Sequence, residues 1–178
     1  VPKGVEMPEG GWPVVIFGHG TGGSFRTPYE TGLVPSLSGV AVDSGATGFA
    51  VLSIDQVMHG PRRGNTGHGA EALYFNLGNP AASRGNALQG AADNFQLERL
   101  IASMDLSAEE SPIGETLQLN PEQIYYLGHS QGADTGALYA AQSEKLSGAV
   151  FAGIGASLTL RFKDATSPFS LGPALGAM

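Results

Sequence analysis

A serine hydroxyl attacks a carbonyl only when the chain holds it in the open, beside donors for negative charge and within reach of a proton acceptor. The segment Gly128-His129-Ser130-Gln131-Gly132 has the residue types and spacing for the first two conditions. It is a G-x-S-x-G pattern lying directly after the apolar run Ile124–Leu127 and directly before a segment of helix formers, Ala133 to Ala141. A serine on such a strand-to-helix turn is forced into a strained backbone conformation, and the flanking glycines let the neighbouring chain pack against it. Its hydroxyl then stands above the sheet edge, where the N–H groups of the helix N-terminus point. The alternative is a glycine-bounded turn whose serine merely caps the helix.

A second, independent segment would complete the donor set. His19-Gly20-Thr21-Gly22-Gly23-Ser24 follows the apolar run Val14–Phe17, and its glycines leave backbone N–H groups free to approach a ligand. Gly18, Gly20 and Gly23 also satisfy G-x-G-x-x-G, so a dinucleotide loop is the competing reading. That reading needs an acidic residue at the end of the next strand, and Asp43 falls before that strand rather than after it. No Gly-Lys-Ser/Thr follows to make a nucleoside-triphosphate loop.

The elements that must position these residues are legible as four short apolar runs bounded by Gly, Pro or Asn: Val14–Phe17, Phe49–Ile54, Ile124–Leu127 and Ala149–Ile154. Their lack of polar alternation predicts strands buried on both faces, the pattern of a parallel sheet. Helical spacing covers Arg84–Met104, with an apolar stripe that drifts round the axis and predicts burial on more than one side. Gln131–Ser143 is the second helix, and a shorter one is expected within Leu37–Ser44. The predicted class is α/β, a mostly parallel sheet flanked by helices. Gln56–Pro80 and Ser107–Pro121 read as long irregular loops, and the tail Ser157–Met178 carries no assignable element.

Composition removes several classes of function. The 178 residues suit one domain, and 9 basic against 16 acidic side chains give a net charge of −7, unsuited to nucleic acid or an anionic membrane. With no cysteine there is no disulfide, thiolate metal site or cysteine nucleophile, and no apolar run reaches the ~18 residues of a membrane span. His59 and His68 share a loop without carboxylates at ligand spacing, so no metal is implied, nor any organic cofactor. The absence of cysteine fits a cytoplasmic or a secreted bacterial protein alike.

VVIFGHGTGGS, the strand ending in Asp55 followed by His59-Gly60, and YYLGHSQGADTG together resemble the α/β-hydrolase fold family. Within it they resemble the bacterial esterases and lipases, and Trp12–Arg26 is similar to the platelet-activating-factor acetylhydrolase group. The resemblance covers roughly Trp12 to Ile154 and would make these strands the family's third to sixth. It implies Ser130 as nucleophile, and the backbone N–H groups of Gln131 and of Thr21 (or Gly22) as the oxyanion hole. It further implies a small-molecule or lipid-like carboxylic ester as substrate, with no cofactor. A peptidase, an acyltransferase or a non-catalytic binding module on the same fold would share these parts.

The chain departs from the family in one respect. The family places an acid and then a histidine after the nucleophile, but His19, His59, His68 and His129 all precede or adjoin Ser130. Of the acids beyond it, Asp134 lies one turn into the next helix, and Asp164 is placed where a triad acid could follow the sixth strand. The expectation is that residues 1–178 are one α/β-hydrolase-like domain lacking its first strands and its C-terminal acid and histidine. The competing explanation recruits His59 or His68 as base. His19 is expected to brace the glycine loop, His129 to turn into packing, Asp55 to anchor the long loop, and Arg62-Arg63 to be solvated or to meet an acidic substrate group. Ala149–Leu160, Phe162, Phe169 and Leu171 could line an acyl pocket.

Overall fold

Val14, Val15, Ile16 and Phe17 lie at the centre of the molecule, as an uninterrupted apolar run requires. The computed structural model describes residues 1–40, 48–155 and 164. In it this run forms β1 (Trp12–Gly18), every residue of which is buried. β1 pairs in parallel with β2 (Ala50–Ser53) on one side and with β4 (Leu117–His129) on the other. β4 pairs in parallel with β5 (Leu146–Ala152) beyond it. A two-residue strand, β3 (Asp105–Leu106), runs antiparallel to the start of β4. The α/β class with a mostly parallel sheet is therefore what the chain adopts.

β4 starts earlier than its apolar run suggests and takes in Asn120-Pro121. Proline has no N–H for the ladder. The pairing with β1 accordingly slips, from Trp12 opposite Leu119 to Val14 opposite Ile124. β5 departs from the expectation of a strand buried on both faces. Ala149, Val150 and Ala152 are exposed, Val150 by 60%, because β5 lies at the sheet edge among the described residues.

α4 (Pro80–Ser103) starts where Asn79 accepts the Ala82 N–H at 3.2 Å and Pro80 supplies a preset φ. Its burial differs from the drifting apolar stripe. Asn86, Gly90, Asn94, Leu97 and Ile101 form one narrow buried line, while Leu88 and Leu100 are exposed. Close packing selects that line. A Cβ on Gly90 would stand 2.6 Å from Thr135 Cγ2 of α5 (Gln131–Ala140), and Asn86 Nδ2 donates to the carbonyls of Leu73 and Tyr74. Those carbonyls end α3 (Ala70–Phe75), a short helix inside the stretch expected to be irregular, which also holds a 3-10 turn at Gly60–Arg63. Two short helices, α1 (Thr27–Glu30) and α2 (Leu33–Ser38), follow the glycine loop; α2 lies earlier than the expected Leu37–Ser44. Half of that span, Asp43 included, lies outside the described residues, as do Ser157, Phe162, Phe169 and Leu171 with the tail around them.

The core joins Val14 and Ile16 of β1, Ile124 and Tyr126 of β4, Leu97 and Ile101 of α4, and Tyr139 of α5. Two tyrosines in it keep their hydroxyls paired: Tyr126 donates to Gly132 O at 2.7 Å and Tyr139 to Glu98 Oε2 at 2.8 Å. Burial pushes the Tyr126 phenol up to about 12, so it remains a donor at any physiological pH. No helix among the described residues is long and apolar enough to cross a membrane.

α5 sits so close to the sheet that a Cβ on Gly132 would overlap the carbonyl of Gly18 at the end of β1. Gly132→Ala is therefore expected to lower stability by about 1–3 kcal/mol, the range for overpacking, read as a reduced urea midpoint at unchanged slope.

Candidate active site

β4 ends at His129 and α5 begins at Gln131, leaving Ser130 alone to turn the chain. It does so at φ 51°, ψ −115°, a conformation that a side chain disfavours and that persists only when its surroundings enforce it. Three features enforce it. Ser130 N–H donates to Ala152 O at the end of β5, at 2.8 Å. Its carbonyl accepts the N–H groups of Ala133 and Asp134, the first turn of α5. A Cβ on Gly128 would lie 2.6 Å from Gly132 O, so only glycine permits the return of the chain. The Ser130 side chain makes no capping hydrogen bond, which removes the reading of this serine as a helix cap. Ser130 is half-buried and takes part in no hydrogen bond through Oγ among the described residues.

The glycine loop after β1 lies against this turn. A Cβ on Gly20 would be 3.4 Å from Ser130 Cβ, and Thr21 Oγ1 donates to Gln131 Oε1 at 3.0 Å. The Gln131 side chain thus ties the two segments together. Gly132 N–H also donates to His19 O at 3.1 Å. Within the loop, Gly22 N–H is taken by His59 Nε2 at 2.9 Å and Gly23 N–H by Gly20 O at 3.0 Å. Of the alternatives Thr21 and Gly22, the second is therefore occupied. The N–H groups of Thr21 and Gln131 have no acceptor among the described residues.

Beneath the loop lies a buried polar layer. His19 is wholly buried; its Nε2 accepts Gln56 N–H at 3.1 Å and its Nδ1 lies 2.8 Å from Gly20 O, as expected of a residue bracing the loop. Gln56 donates through Nε2 to His19 O and accepts from Thr135 Oγ1. The His19 and His59 rings meet edge-on with centroids 4.8 Å apart. Asp55 anchors the long loop as expected, taking Phe25 N–H on Oδ1 while its carbonyl accepts from Arg62. Arg62 and Arg63 are exposed, as expected of surface arginines, and Arg62 also pairs with Asp93 at 2.7 Å.

His129 departs from expectation. It is exposed rather than packed, because β4 ends there with its side chain over Gly20, and it lines a cleft of ≈ 470 Å³ with Phe17, Thr27, Thr31, Gly32, Leu33 and Ser36. No described histidine is seen to accept from Ser130. His19 and His59 are committed at both ring nitrogens, and His68 is exposed on the loop. Asp164 is exposed. Among the described residues no three His, Asp or Glu side chains are grouped to hold a metal ion.

The model of one protein family, described as alpha/beta hydrolase fold, matches residues 13–171. No curated protein matches the chain.

Burial lowers the His19 pKa from its ordinary 6.5, outweighing the hydrogen bond to Gly20 O, which acts in the opposite direction. The unfolded chain then binds more protons below pH 6.5 than the folded one, so stability is full above that pH and falls as pH drops beneath it. Urea midpoints taken between pH 8 and pH 5 should decline on the acid side, before the carboxylates titrate near about 4. His19→Gln should flatten that decline.

Proposed function

The chain belongs to the alpha/beta hydrolase fold family, and from that premise we propose that it is a serine hydrolase of carboxylic esters with Ser130 as nucleophile. The observation that carries this reading is the Ser130 backbone, held at φ 51° on a strand-to-helix turn with its hydroxyl capping nothing. Strain of that kind is retained where a side chain must be presented.

In the reaction, Ser130 Oγ bonds to the ester carbonyl carbon as its proton passes to a base. The oxyanion that forms is held by the N–H groups of Thr21 and Gln131. The carbon–oxygen bond to the leaving alcohol then breaks, and the base returns the proton to that alcohol. Water cleaves the acyl-enzyme by the same path in reverse roles. The base in this reading is neither His19 nor His59, since both are committed to backbone partners at both ring nitrogens. The cleft beside His129, with Phe17 and Leu33 in its wall, supports a small or lipid-like uncharged ester.

A fluorophosphonate probe applied to the full-length protein should label it, and Ser130→Ala should abolish labelling while leaving the thermal midpoint within a few degrees. Turnover of short-chain aryl esters should fall at least about 10⁴-fold in the same variant. A folded protein that does not label is a binding module on this fold instead.

A further inference from the structure

His59 lies in the stretch after β2, nine residues before the other loop histidine, yet it is 2% exposed. The backbone around it is unusually constrained. Met58, a non-glycine residue, has φ 63°, and Gly60 has φ 50° with the Asp55 carboxylate filling the space a Cβ would need. Two left-handed residues flank one extended residue, and the imidazole is buried, as are Gln56 and Val57 just before it in the chain. There Nε2 accepts Gly22 N–H at 2.9 Å, and Nδ1 lies 2.9 Å from Val57 O. Only the neutral ring protonated on Nδ1 satisfies both partners.

Consider the two peptide planes that meet at Thr21. The first carries Gly20 C=O and Thr21 N–H, which point in opposite directions because the bond is trans. Gly20 O is held by His19 Nδ1 and by Gly23 N–H, so Thr21 N–H must face away from the buried layer. The second plane carries Gly22 N–H, held by His59. Thr21 thus has a plane pinned on each side by one imidazole, and the two imidazoles touch. Releasing the second plane would let the loop rotate about Thr21, and Gly22 N–H would compete for the pocket or swing its carbonyl neighbour into it.

We propose that His59 is a positioning residue of the serine-hydrolase site: by accepting Gly22 N–H it holds Thr21 N–H as the donor facing Ser130. This rests on the reading of Ser130 as nucleophile. The same role explains why a strained Met58 is retained 37 positions from the loop it serves, counted from Gly22 to His59.

The test uses the full-length protein and the fluorophosphonate probe, whose attack by serine builds negative charge on a phosphoryl oxygen. His59→Leu fills the volume without an acceptor and should lower the maximal inactivation rate constant about 10²-fold, with half-saturating probe concentration changed by no more than about twofold. His59→Gln places an amide oxygen where Nε2 stood and should recover most of that loss. Equal rate constants in the Leu and Gln variants, or a wild-type rate in the Leu variant, would overturn the proposal. If the Leu variant does not fold, the imidazole ¹⁵N shifts of wild-type protein decide: Nδ1 protonated and Nε2 bare supports the role, and the opposite tautomer ends it. Wild-type protein that is never labelled refutes the nucleophile reading and this role together, whereas labelling with the wrong tautomer refutes this role alone.

Discussion

The end of β1 and the first turn of α5 approach so closely that Gly132 has no room for a side chain against Gly18. Everything near Ser130 follows from that contact. It brings Gly132 N–H onto His19 O and Gly132 O onto the Tyr126 hydroxyl, so the helix start is fixed to both central strands at once. Gly136 continues the approach, since a Cβ there would collide with the Tyr126 ring. With α5 this near, the chain leaving β4 has one residue in which to reverse, and Ser130 adopts the left-handed geometry that such a reversal demands. Membership of the family speaks for the fold, while the chemistry depends on what the turn is set against.

What it is set against is a loop that carries few side chains of its own and is shaped from below. Buried polar groups are tolerable only when paired, and a half-satisfied network is worse than an apolar one. Here His19, Gln56, His59 and Thr135 pair with one another's backbones and with the loop. The network joins segments from β1, the stretch after β2 and α5, which are distant in the chain. It holds the Gly20 carbonyl and the Gly22 N–H from below while the Thr21 N–H keeps no acceptor among the described residues.

Much of this was legible in the residues. The four apolar runs form the parallel strands, and in β1, buried along its whole length, the lack of polar alternation has its cause in cover on both faces. The G-x-S-x-G segment is legible at Gly128, whose steric cause, Gly132 O, lies within five residues, whereas the cause at Gly132 is the distant Gly18 carbonyl. What could not be read depended on partners far along the chain. Nothing local to His59 says that its ring will meet Gly22, and Met58 carries no mark of a left-handed residue. The line of burial on α4 does not follow apolar periodicity, because Asn86 bonds the end of α3 and Gly90 fits against Thr135 of α5. β5 reads as interior from its composition but stands at the edge of the described sheet. The signal available for the buried layer was a histidine and a glutamine, His19 and Gln56, placed just after apolar strands.

The account stands on Ser130 and the two unoccupied amides facing one another across a single opening. A crystal structure of the full-length protein carrying a phosphonate on Ser130 measures this directly. The account predicts a phosphoryl oxygen about 2.7–3.1 Å from both Thr21 N and Gln131 N. An adduct whose oxygen contacts neither amide, or a phosphonate found on another residue, would contradict it.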